Sequence, residues 1–126
     1  MRHRTTAIVA GTAGLALGAL CVVVEHFGST SVPGLDAKPI IDIALGITSL
    51  DRSAELVEGL VAMGYGYVPQ FESVMPTRRY FHKPSYAAHT HHVHAWAVSE
   101  LCTRPELAFR DLLRARPETA AAYAAL

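Results

Sequence analysis

Charge of a single sign is missing from this chain. Lys plus Arg and Asp plus Glu both number 11 in 126 residues, so no basic field offers itself to a nucleic-acid duplex and no acidic tail solvates one. Cysteine is scarce: Cys21 and Cys102 are the two present, with no CxxC and no spacing that suggests a disulfide framework. Two reduced thiols in a reducing, cytoplasmic compartment are the expectation. Internal repeats and low-complexity linkers are absent too, and the length suits one domain rather than two, taken as residues 1–126. A hydrophobic share of 51% with 17% charged residues excludes disorder except at the ends.

The first segment imitates something else. Arg2 and Arg4 precede a run from Ala7 to Val24 without a charge, the pattern of a signal peptide or membrane helix. Gly11, Gly14 and Gly18 dilute it, no A-x-A site follows, and it flows into a polar motif at Glu25. No membrane association is therefore expected. Thr5 to Leu17 reads as an Ala-rich helix.

Beyond it, Gly and Pro punctuate an alternation of short elements typical of a mixed α/β chain. Leu20 to Glu25 is β-branched and reads as a strand. Pro39 to Ile47 reads as a buried strand with Ile41, Ile43 and Leu45 on one face and Ile40, Asp42, Ala44 and Gly46 on the other, so one carboxylate sits alone on an apolar face. Ser49 or Asp51 caps a helix carrying Leu56, Val57, Leu60 and Met63 that closes at Gly64. Tyr65 to Val68 and Arg78 to His82 are plausible strands. Thr90 to Val98 alternates cleanly, with His92, His94 and Trp96 on one side. Thr103 to Glu106 has the form of a capping box opening a helix through Arg116, and an Ala-rich helix follows Pro117.

The densest chemical signal is Glu25-His26-Phe27-Gly28-Ser29-Thr30-Ser31-Val32-Pro33-Gly34. Such a turn lets backbone N–H groups approach an anion while its hydroxyls add donors, although a Gly-Ser-Thr-Ser stretch is also ordinary loop sequence. The next strand then brings Asp42. Downstream follow Arg78 to Phe81, Thr90 to His94 and Leu107 to Glu118. These blocks, in this order, resemble the GrpB family, which the resemblance places in the nucleotidyltransferase superfold. It covers roughly Leu17 to Leu126 and leaves out the Ala-rich first helix.

The resemblance implies an α/β (α+β) domain, a nucleotidyltransferase-like mixed sheet with helices packed on one face. In that arrangement the turn holds nucleotide phosphates and strand carboxylates hold a divalent cation, Mg²⁺ or Mn²⁺. Two departures stand out: Ala44 occupies the position of the usual second carboxylate, and the chain is shorter at both ends than the resemblance leads one to expect.

From residues and resemblance together, Gly28, Ser29, Thr30, Ser31, Lys38, Arg78 and Arg79 are candidates for phosphate or nucleotide binding, with one Arg of the pair expected to function. Asp42 and His26 are candidates for catalysis. Asp42, His92 and His94 could form a two-His, one-carboxylate metal set, against which stands the blander reading that His89, His91, His92 and His94 simply hydrogen-bond or contact phosphate. Trp96, Tyr65 and Tyr67 could stack on a base, but core packing is the default. The leading expectation is a transferase moving a nucleotidyl or phosphoryl group onto a small-molecule or protein acceptor. A non-catalytic module for a nucleotide or CoA-type ligand stands second, and a His/Asp metal-dependent tailoring enzyme third. A nucleotide or other phosphorylated small molecule is the expected partner, and a homodimer is compatible with all three.

Overall fold

The computed structural model describes residues 17–34, 40–83 and 89–125. The expected helix over Thr5 to Leu17 falls outside them except for its last residue. Five strands form one mixed sheet: β1 (Cys21–Phe27), β2 (Ile41–Ile47), β3 (Gly66–Tyr67), β4 (Arg79–Lys83) and β5 (His91–Ala97), in the order β1-β2-β5-β4-β3. The β2–β5 pair is parallel and the others antiparallel. A parallel pair needs a crossover, and α1 (Ser53–Ala62) supplies it. Three further helices follow β5: α2 (Val98–Leu101), α3 (Pro105–Ala115) and α4 (Pro117–Ala124).

Local chemistry sets the element ends. The Ser49 hydroxyl accepts from the Asp51 amide at 3.1 Å, starting a 3₁₀ turn over Leu50–Arg52 that leads into α1. At the far end Gly64 takes φ +93°, which its missing Cβ permits. The capping box is not formed: the Thr103 hydroxyl donates back to the Glu100 carbonyl at 2.8 Å, and α3 begins at Pro105 with no side-chain cap. Thr103 is spent closing α2, and proline's fixed φ starts α3 in its place.

One face of the sheet carries the main core. Ile43, Leu45 and Ile47 of β2, Val93 and Ala95 of β5 and Phe81 of β4 pack with Leu56 and Leu60 of α1, together with Leu20 and Tyr65. The opposite face is divided. Its β1 side buries Phe27, Ala44 and Trp96 beneath Leu101 of α2 and Leu107 of α3, so helices close part of this face as well as the first. A third cluster of Val32, Leu113 and Ala120 ties the turn after β1 to α3 and α4. The rest of the second face is left to polar side chains.

Candidate functional site

Strand register assembles these polar groups. Asp42 lies opposite His92 across the parallel pair, and His92 lies opposite His82 on β4. One step along, His94 lies between Ala44 and Tyr80. Since side chains alternate faces along a strand, Asp42, His82, His92, His94 and Tyr80 share one surface. The Asp42 Oδ1 atom is 3.4 Å from His94 Nε2 and 3.7 Å from His92 Nδ1. Tyr80 has His94 at 5.0 Å and His92 at 5.5 Å between ring centroids. His89 extends the cluster, stacking on His82 at 3.9 Å with its Nδ1 3.1 Å from His92 Nε2.

Arg78 fixes the state of His94. Its Nη1 lies 3.2 Å from His94 Nδ1. A guanidinium has no lone pair to offer and stays protonated, so it donates and His94 Nδ1 accepts. The proton of a neutral His94 then sits on Nε2, directed at Asp42. A chain runs from Arg78 through the imidazole to the carboxylate. Burial holds His92 below the ordinary imidazole range, with Asp42 opposing that shift. Burial, and then the charge of Asp42, pushes the Tyr80 phenol up.

Gly28 closes the turn against Asp42. It adopts φ +76°, and a Cβ at this position would stand 2.5 Å from Asp42 Oδ2. Only glycine permits both the backbone conformation and the approach. The hydroxyls behind it are engaged within the protein. Ser31, with no exposed surface, donates through Oγ to the Gly28 carbonyl at 2.5 Å, and Thr30, 5% exposed, pairs with His26 Nε2 at 2.9 Å. His26 lies opposite Ile43 in the register, which places it on the sheet face away from Asp42. Lys38 and the side chain of Ser29 lie outside the described residues.

The two adjacent arginines part company. Arg79 turns toward α1: its Nε donates to Ser53 Oγ at 3.2 Å, its Nη1 donates to the Pro76 carbonyl at 2.8 Å, and Glu72 lies 3.7 Å away. Arg78 stays with the polar cluster, its guanidinium 5.1 Å from the centre of the Tyr80 ring. Among the described residues no carboxylate lies within ion-pair distance of Arg78, whereas Arg52 and Arg79 each have one and Arg104 and Arg110 each have two. Arg110 was not singled out by sequence, because nothing in a helical repeat says where a lone arginine points. It is 8% exposed and joins Glu25, the His26 carbonyl and Asp111, pinning α3 to β1. Tyr80 and His82 were legible in principle from the alternation Arg78, Tyr80, His82 along β4.

The metal set expected of Asp42, His92 and His94 is brought onto one face, but its donors do not fit an ion as they stand. Among the described residues no group of three or more His, Cys, Asp or Glu side chains is arranged to hold a metal. Arg78 also takes the Nδ1 lone pair of His94 and leaves a proton on Nε2, the nitrogen nearest Asp42. Ala44, 1% exposed under Trp96 and Leu101, supplies no second carboxylate. His91 faces the other way, its Nδ1 2.8 Å from the Thr90 hydroxyl. Tyr65 and Trp96 are buried in the core, where they offer no stacking surface. Among the described residues no helix is long and apolar enough to cross a membrane.

Comparison with known proteins agrees with this architecture. The crystal structure of conserved protein GrpB from Enterococcus faecalis matches with a TM-score of 0.85 and 34% identity, over 98% of this chain and 74% of that one. UPF0157 protein YqkA of Bacillus subtilis is 38% identical over 112 residues, 89% of this chain and 32% of that protein. UPF0157 protein PA4798 of Pseudomonas aeruginosa is 41% identical over 104 residues, 80% of this chain and 41% of that protein. The chain thus spans less than half the length of either curated relative. Dephospho-CoA kinase of Mycobacterium tuberculosis is 41% identical over a shorter stretch of 63 residues, 48% of this chain and 15% of that protein. The model of the family described as GrpB protein matches residues 4–126, and the chain belongs to the GrpB family.

Proposed function

We propose that this protein binds a phosphorylated small molecule of the nucleotide or CoA type on the polar part of its sheet, with Arg78 as the anchor for the phosphate. The observation that carries this reading is the half-buried Arg78 fork with no carboxylate beside it among the described residues. A planar guanidinium presents paired donors to phosphate oxygens. Asp42 would repel an anion placed directly over it, so the phosphate sits toward Arg78, while Arg78 and Asp42 between them hold His94 in one tautomer. The stretch shared with a dephospho-CoA kinase is consistent with a ligand of this class.

In the nucleotidyltransferase superfold, a turn followed by a strand acid holds phosphates together with a metal on paired carboxylates. Here the acid is single, the hydroxyls of Thr30 and Ser31 serve the turn itself, and the imidazoles are engaged. Metal-independent binding is therefore favoured over metal-assisted transfer. A thermal-shift series with ATP, ADP, CoA and pyrophosphate, each with Mg²⁺, Mn²⁺ or EDTA, tests this, because a ligand of the native state raises the melting temperature. A shift of equal size in EDTA and in metal is expected. A shift that needs metal would favour the transferase reading, and none with any ligand would reject both.

A further inference from the structure

A cavity lies on the far side of the Gly28 turn from the polar cluster. An open cleft of about 160 Å³ lies between the end of β1 and helices α3 and α4, with Phe27, Val32, Leu113, Phe109 and Tyr123 among its walls and Glu106 as a polar member. Phe27 and Gly28 line it as well as the polar cluster, since the Phe27 ring meets His94 edge to face at 5.0 Å. Pockets for whole drug-sized ligands run to about 300–1,000 Å³. This one therefore suits a single ring system.

Its chemistry narrows the occupant. Phe109 and Tyr123 are 43% and 46% exposed, and they meet edge to face at 5.3 Å. Large aromatics left this open offer flat apolar faces to a ring. Arg110 also borders the cavity, but its guanidinium is taken up by Glu25, Asp111 and the His26 carbonyl. It cannot serve an anion here. Glu106 is held by Arg104, whose nitrogens reach its two oxygens at 3.0 to 3.2 Å, and Arg104 is itself fixed over the Trp96 ring at 5.1 Å. A carboxylate so fixed beside apolar walls only accepts hydrogen bonds. It repels phosphate and selects a neutral ring that carries a donor.

We propose that this cavity binds a flat heteroaromatic ring bearing an amino group, a nucleobase of the aminopurine or aminopyrimidine kind, with Glu106 accepting from the amine and the ring packing against the open faces of Phe109 and Tyr123. This names the other half of the ligand proposed above and rests on that reading only for the phosphate half. The cavity can be tested without any phosphate. Backbone amide NMR of the chain is titrated with adenosine and, separately, with purine riboside, which has the same ring without the amine.

Saturable shifts from adenosine at Gly28, Val32, Glu106 and Tyr123 are expected, with purine riboside roughly tenfold weaker. Phe109→Ala, at a partly exposed position, should weaken adenosine roughly tenfold while the rest of the spectrum stays native. Glu106→Met, which keeps the length and removes both acceptor oxygens, should erase the preference for adenosine over purine riboside. No saturable adenosine binding, equal binding of the two nucleosides, or shifts confined elsewhere would overturn the proposal. Pyrophosphate titrated into the same sample reports the Arg78 site by itself. Loss of pyrophosphate binding with adenosine binding intact would reject the phosphate reading alone, and the reverse would reject this one alone.

Discussion

The two faces of β2 do opposite work. Toward α1, Ile43, Leu45 and Ile47 are wholly buried in an apolar core. Toward the other side the same seven residues present Asp42, Ala44 and Gly46, and these meet respectively the histidine cluster, the Trp96 ring and the side chains of α2. One strand therefore specifies both stability and site through a period of two. A slip of one residue would exchange them, and the strength of the apolar face is what holds Asp42 in register with His92.

That division can be broken most severely from the apolar side. Leu45→Ala should cost about 2–5 kcal/mol, the usual loss for a buried leucine, seen as a lowered urea midpoint. Gly28→Ala strikes the junction of the faces, because its Cβ would meet Asp42 and its φ of +76° strains any other residue. A loss of about 1–3 kcal/mol is expected, together with loss of phosphate-ligand binding, both read in one titration series.

Acid sharpens the comparison with a smaller effect. Burial lowers the pKa of His91, on the helix-covered face, and of His92, on the polar one, below the ordinary 6.5. The unfolded chain then takes up protons more readily than the folded one. Their contribution is fully present above about pH 6.5 and is lost as pH falls through the depressed folded values. The urea midpoint should decline between pH 7 and pH 5, and His92→Phe should flatten part of that decline. The smallest effect is expected at the exposed Arg52–Glu55 pair, 2.7 Å apart. Arg52→Ala should leave the midpoint unchanged within error.

Much of this was legible in sequence, and the reason is periodicity. Alternation in Pro39 to Ile47 set Asp42 on the face away from Ile43, and alternation in Thr90 to Val98 put His92 and His94 on one side; the β2–β5 pairing joins the three on one surface, and Gly64 closes α1 while Ser49 caps the 3₁₀ turn before it. Three features were not legible, because each depends on side-chain partners brought from afar. The Thr30 and Ser31 hydroxyls look like ligand donors in a Gly-Ser turn, yet His26 and the Gly28 carbonyl claim them. Thr103 has the spacing of a capping residue but closes the preceding turn. Arg78 and Arg79 are chemically equal in sequence, and only the register of β4 assigns one to the polar cluster and the other to α1.

Those two adjacent arginines offer the most direct measurement. Calorimetric titration of pyrophosphate into the native chain, Arg78→Ala and Arg79→Ala would separate a site-facing guanidinium from a scaffold-facing one. Arg78→Ala should weaken binding by roughly tenfold or more, the scale of a lost charge-assisted hydrogen bond. Arg79→Ala should bind as the native chain does while melting at a lower temperature. Binding that survives Arg78→Ala unchanged, or that is lost only in Arg79→Ala, would contradict the assignment of the polar face as the anion site.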